Sequence, residues 1–421
     1  MEQAVPGESE PLWQDWARTG LAERQRPGNV AKLVERLVSA WRRSDMLIGL
    51  VHDEALLERP LENRPPFAYE LAHPAAVSYS LVCREALGRD PLDAALDDLL
   101  CVHSPDWRAP SCWPDLTELM AYRDQAREAV VQAAPSCSAD ISPLHDALAH
   151  ELQHHELLLT MLWRFEGPQK HFRGELRPPD FGQSAARRKL RVAAGVAPCG
   201  EQGAARAVDA FEIESTPVMN GEFFEFVSAG AYADQRWWTA AGWAWRKRVG
   251  QDHPRCWRRR GREWFWCGLF EEYPLTRVFD WPAIVGRGEA EAYLAWSGKR
   301  LATEGEYCRA AFSNRDGGLR RYPWGDVDPQ PQHANLGLKR YSPMPVGSLA
   351  SGASDWGVLE LVGNGWEWTV EASDGGETPH EAVLLGASWA TDATLVGRGH
   401  RRVVAGQGDS HFAKFRGVTR S

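Results

Sequence analysis

Helical periodicity runs through the first 165 residues of this chain and then stops, so one fold class cannot serve both halves. From Val30 to Leu50, apolar residues fall at Val30, Leu33, Val34, Leu37, Val38, Trp41, Leu47 and Leu50, mostly on a 3.6-residue period. Similar patterns predict helices over roughly 68–87, 114–133 and 141–164. Asp115, just ahead of Leu116 and Thr117, is placed to cap the third of these. Four long helices joined by loops suggest a four-helix bundle. Residues 166–190 are rich in Pro, Gly, Arg and Lys, show no period, and read as a linker. Beyond them the segments are short, as in EIESTPVMNGEFFEFV and YPWGDVDP, and most of the 20 tryptophans lie after residue 236. One helix is expected near 288–298, and the rest reads as short strands and long loops of an α+β domain.

Charge and cysteine usage remove several function classes. The net charge is -9, which argues against a nucleic-acid partner, since phosphate backbones call for a basic face. The run Arg258–Arg259–Arg260 reads as a solvated loop. No apolar run approaches the length of a membrane span, and the acidic first residues do not read as a signal peptide. The eight cysteines form no CxxC pair and no zinc-finger spacing. Structural thiols in a reduced cytoplasm are therefore expected.

The fourth helix carries HELQHHE from His150 to Glu156. His150 and His154 stand about 40° apart on the helical wheel, close enough to share one metal ion. Asp146 and Gln153 flank that face and could orient a ring or touch a substrate. The apolar stripe Ile141, Leu144, Leu148, Leu152, Leu159 and Leu162 lies roughly opposite. The histidines are thus expected to turn away from the bundle core, with the metal near the second domain. Glu156 points elsewhere and reads as structural, and His155 as packing. Two plainer readings stand beside this one. The pair could be ordinary histidines on a solvated face, or HELQH could be the HExxH of a zinc protease with Glu151 as base. In PPFAYELAHPAAVSY, His73 sits among apolar residues, where a packed histidine is the plain reading. Pro74 disfavours α geometry at His73 and predicts a kink or a helix start there. As a third ligand, His73 would complete an open three-imidazole site suited to Fe(II) or Zn(II).

The H-x3-H-x-E helix is followed by STPVMNGEFFEFV, AEAYLAWSGKRLATEGEY, YPWGD, LELVGNGWEWT and LGASWAT. In this combination the chain resembles the ergothioneine-type sulfoxide synthases, non-heme iron enzymes that join a sulfur donor to hercynine, the trimethylated histidine. The resemblance implies a DinB-like four-helix bundle over 1–165 and a formylglycine-generating-enzyme-like (C-type-lectin-like) domain over 191–421. It also implies Fe(II) held by His73, His150 and His154, a hercynine contact at Gln153, O2 as a substrate, and a structural Ca(II) in the C-terminal domain. Formylglycine-generating activity itself is not implied, because no cysteine follows Trp389.

Three segments depart from the ergothioneine enzymes. VHSPDWRAPSCWP has Arg108 as its only arginine where they carry an arginine-rich loop, EASDGGETPHEAVL has no tyrosine, and AGQGDSHFAKFRGVTR lacks their Arg-Asn pair. A γ-glutamylcysteine donor would find few cations here. The departures are similar to the selenoneine synthase branch, which takes a selenium-bearing sugar. Trp107, Arg108, Trp113 and Asp409 are then candidate donor contacts. The alternatives are a γ-glutamylcysteine sulfoxide synthase, a zinc hydrolase or thiol S-transferase, and a non-catalytic binding protein.

Overall fold

The computed structural model describes residues 29–61, 64–101, 113–165, 179–200, 203–269, 271–370, 381–405 and 412–420. The chain divides into two compact units, Met1–Arg173 and Gly174–Ser421.

The described part of the first unit is helical. Helix α1 spans Val30–Ile48 and is capped by Asn29, whose side chain accepts from Ala31 N at 2.9 Å. It buries Leu33, Leu37, Ala40, Trp41, Ser44, Leu47 and Ile48, one face at helical spacing. Helix α2 spans Phe67–Tyr79 and is buried throughout. It begins after Pro66 and runs through Pro74, so the expected helix start at His73 is wrong. Pro74 leaves the Glu70 carbonyl without its usual i+4 donor, and Ser78 Oγ donates to the Pro74 carbonyl at 2.9 Å. Past Tyr79 the chain widens into a π-type turn, Ser80–Glu85. The short helix α3, Ala94–Cys101, was not foreseen. Helix α4, Leu116–Ala133, is capped by Asp115 as expected, with Thr117 N donating at 2.7 Å. Helix α5 spans Ser142–Arg164. It packs against α1 and α2, while α2 also packs against α3 and α4.

The second unit holds four small sheets in the described residues. Strands β1 (Lys189–Val192), β4 (Phe211–Glu214) and β12 (Val418–Arg420) form one, in the order β1-β4-β12. Strands β2 (Gly195–Cys199) and β3 (Ala204–Val208) form a second. A third is β5 (Trp257–Arg260), β6 (Glu263–Cys267) and β7 (Glu272–Pro274). The fourth runs β10-β9-β8-β11, from Arg401–Ala405, Glu381–Ala387, Gly365–Val370 and Ala413–Lys414. Around them lie α6 (Asn220–Ser228), α7 (Ala240–Val249), α8 (Arg287–Trp296) and α9 (Glu304–Phe312). Only α8 was expected. The other three have 9 or 10 residues each. The core gathers Phe211, Ile213, Tyr307, Phe312, Trp356 and Leu385, and Trp266, Trp281, Trp366, Trp368 and Trp389 are almost fully buried.

Two readings of this half need correction. Residues 179–188, within the stretch 166–190 that reads as a linker, are tied into the second unit. Trp281 Nε1 donates to the Asp180 carbonyl at 2.7 Å, Ala185 N to Val346 O at 2.8 Å, and Arg187 to Glu222 at 2.6 Å. The Arg258–Arg260 run is not a loop but strand β5, with Arg258 and Arg260 both paired to Glu272 at 2.6 Å. Among the described residues, no helix is long and apolar enough to cross a membrane.

Candidate metal centre

Three imidazoles meet inside the helical unit. His73 comes from the middle of α2, and His150 and His154 from successive turns of α5. Their ring centroids are 5.0 Å (His73–His150), 4.8 Å (His73–His154) and 4.4 Å (His150–His154) apart. One nitrogen from each lies within 4.8 Å of the others, and this is the only such group of His, Cys, Asp and Glu among the described residues.

The histidines do not face away from the core, as the helical wheel suggested. His73 and His150 are 3% and 8% exposed. The wheel gave the angle correctly but could not show that α2 covers the opposite side of α5. Helix α5 is buried on two faces, one against α1 and one against α2.

The surroundings of the rings fit metal ligation. His73 Nδ1 donates to the Leu100 carbonyl at 2.5 Å, and His154 Nδ1 donates to Glu70 Oε2 at 2.5 Å. Such partners hold the proton on Nδ1, fix the ring plane and leave Nε2 as the lone-pair nitrogen. Tyr69 stacks on His73 with centroids 4.4 Å apart and donates to the same Leu100 carbonyl. Neither nitrogen of His150 has a hydrogen-bond partner, although both are buried. A buried polar group left so is costly unless something else binds it. Burial, together with the neighbouring imidazoles, lowers the pKa of His73 and of His150 well below the usual histidine value. Both are therefore neutral ligands at neutral pH. Burial also pushes the Glu70 carboxyl up to about 7, against the pull of His73 and Arg64.

The sequence reading missed Glu70 and Leu100. Glu70 left one signal, a lone acid in the apolar run FAYELAH, one turn before His73. Leu100 left none, because its contribution is a backbone carbonyl on the unforeseen α3. Gln153 is partly buried beside His154 on α5. The HExxH reading fails on position. Glu151 is fully buried and accepts from Ser44 Oγ on α1, and His155 Nε2 lies 3.0 Å from both Ser44 Oγ and the Ala40 carbonyl. Glu156 is buried and is not one of the three clustered residues. Trp113 sets its edge against Tyr69, ring centroids 6.1 Å apart, one residue away from His73 in this stack. Trp107, Arg108 and Asp409 lie outside the described residues.

Known proteins are similar to this chain in sequence. The family model of the sulfatase-modifying factor enzyme 1-like domain matches residues 179–421. A hercynine oxygenase of Mycolicibacterium thermoresistibile is 31% identical over 417 residues, covering 90% of this chain and 91% of its own. Hercynine oxygenases of Mycobacterium tuberculosis and Mycolicibacterium smegmatis are 41% identical over 185 residues and 36% over 235. Those two matches span 43% of each chain for the first, and 53% of this chain and 54% of the relative for the second. With one relative aligned along nine-tenths of its length and the domain model covering its second unit, this chain belongs to the hercynine oxygenase family of sulfatase-modifying factor enzyme 1-like proteins.

Proposed function

We propose that this chain is an oxygen-dependent enzyme that bonds a selenium or sulfur donor to the imidazole ring of hercynine, at an Fe(II) held by His73, His150 and His154. The observation that carries this reading is the unsatisfied, buried His150 beside two imidazoles whose other nitrogens are already bonded. Similarity along nearly the whole chain to a hercynine oxygenase supports the substrate. The helical unit is read as DinB-like.

Bound iron would supply the redox chemistry and the open positions that a three-histidine site leaves. The protein's share is positional. Leu100 O and Glu70 hold the His73 and His154 rings with their protons on Nδ1. Burial keeps His73 and His150 unprotonated. Gln153, between the two α5 ligands in sequence, is the proposed hydrogen-bonding contact to hercynine. Joining a ring C–H carbon to a selenol or thiol, with one oxygen atom added to the chalcogen, consumes one O2 and leaves one water.

The donor is proposed to be a selenosugar. The arginine-poor 102–114 segment, the tyrosine-free 371–384 segment and the missing Arg-Asn pair all favour a donor without carboxylates. The test is anaerobic incubation of the iron-loaded chain with hercynine and each donor, followed by oxygen and mass analysis. A selenium- or sulfur-substituted hercynine is expected. Hercynine recovered unchanged with every donor would overturn the proposal.

A further inference from the structure

The LELVGNGWEWT segment plays no part in the histidine cluster, yet it builds an oxygen-lined cage in the second unit. Glu360, Gly363, Asn364 and Gly365 all have positive φ, at 55°, 80°, 60° and 129°. Gly365 holds a value open only to glycine, and a Cβ on Gly363 would stand 2.8 Å from the Asn335 carbonyl. Asn364 pins the turn, accepting from Met344 N at 2.8 Å and donating to Glu360 Oε2 at 3.2 Å. The result presents the carbonyls of Gly363 and Gly365 to one point, and Lys414 Nζ occupies it. Lys414 donates to the Gly363 carbonyl at 2.9 Å and to the Gly365 carbonyl, and lies 3.9 Å from Glu367 Oε2. Parallel pairing of β11 with β8 sets Lys414 directly beside Glu367. Arg416 grips the same carboxylate at 2.5 and 2.8 Å. Lys414, Glu367 and Arg416 are 0%, 1% and 1% exposed.

Backbone carbonyls and carboxylates converging on a point are what a hard cation such as Ca2+ takes. The resemblance to the ergothioneine-type enzymes implies a structural Ca(II) in this unit. Here a side chain fills such a place. We infer that the Lys414 ammonium is a built-in substitute for a structural metal cation, held by Gly363 O, Gly365 O and Glu367, with the Glu360 carboxyl acting on it through its charge. Charge agrees, since Lys414 and Arg416 balance Glu360 and Glu367. Burial brings the Lys414 ammonium down to about 8, so it is still charged at neutral pH. Burial raises the Glu360 carboxyl, and the Lys414 ammonium pulls it back down. This cage accordingly needs no added cation, and deleting the ammonium opens a site for one.

The experiment follows melting of the iron-loaded full chain with and without millimolar Ca2+ or K+. Cations are added rather than chelated, because chelators would also strip iron. The parent should not respond to either. Lys414→Ala should lose roughly 10 °C, the scale expected for uncompensated buried charge. Ca2+ or K+ should restore much of it, the effective ion showing which charge the cage accepts. Rescue should vanish in Lys414→Ala with Glu360→Gln. Lys414→Met, which keeps the stem's bulk, should behave like the alanine variant. If Lys414→Ala does not fold, soluble yield with and without added cation is read in its place. The inference is overturned if the parent binds Ca2+ and melts higher with it. It is equally overturned if Lys414→Met matches the parent, or if no cation restores either variant.

Discussion

Glu70 sets the orientation of one ligand ring, and it does so from the helix that carries another ligand. Its carboxylate accepts the hydrogen bond from His154 Nδ1, while His73 stands three residues further along α2. Loss of such a partner typically weakens metal binding ~10–100-fold. Glu70→Ala is expected to do so in chelator competition, and an unchanged affinity would remove Glu70 from the centre. His150 gives a sharper test. In metal-free protein its two nitrogens are buried without partners, so His150→Leu should raise stability by about 1–2 kcal/mol while abolishing metal binding. A metal-free variant that melts below its parent would contradict the reading of this residue. Gln153→Ala should weaken hercynine binding by roughly 1–3 kcal/mol with metal content kept, as read by calorimetry. The sequence showed His150 and His154 as a pair because one helix sets their spacing. It could not show His73 on spacing alone, nor Glu70 and Leu100, because those meet the pair only through tertiary packing.

At the scale of elements, α5 is the piece read best and placed worst. Its limits were foreseen within a residue, since 23 residues give a strong period. Its environment was not, because it is packed on two sides and buries His150, Glu151, His155 and Glu156. Ser44, Glu151 and His155 form a buried polar bridge from α1 to α5. Ser44→Ala would leave the Glu151 carboxyl, already pushed to about 7 by burial, without its donor. A loss of about 1–3 kcal/mol in denaturant melts is expected with metal content unchanged. No loss would show the bridge to be incidental. Helix α2 falls in the expected span of roughly 68–87, and only a start at His73 fails. The local rule on Pro74 was overridden by burial along the whole helix. In the second unit the strands are mostly two to seven residues long, and their order is set by contacts far apart in sequence, such as β12 on β4. Local pattern carries little of that information.

The molecule as a whole combines a helical unit that holds the histidines with an aromatic-rich second unit, and carries a net charge of -9. A peptide donor with two carboxylates would bring them in against that charge, whereas a selenosugar has no carboxylate. With both donors in one vessel, the selenium product should exceed the γ-glutamylcysteine product by at least ~10-fold, the effect of ~1.4 kcal/mol. Equal or reversed yields would place the chain with the thiol-using enzymes. The central claim is that the three buried imidazoles hold the iron at which hercynine reacts. It is tested by measuring iron content and oxygen-dependent hercynine consumption on the same samples of the parent, His73→Ala, His150→Ala and His154→Ala. The account predicts about one iron per chain and full turnover in the parent, with both lost together in every variant. A variant that keeps turnover without iron, or a parent that consumes hercynine equally well with zinc alone, would contradict it.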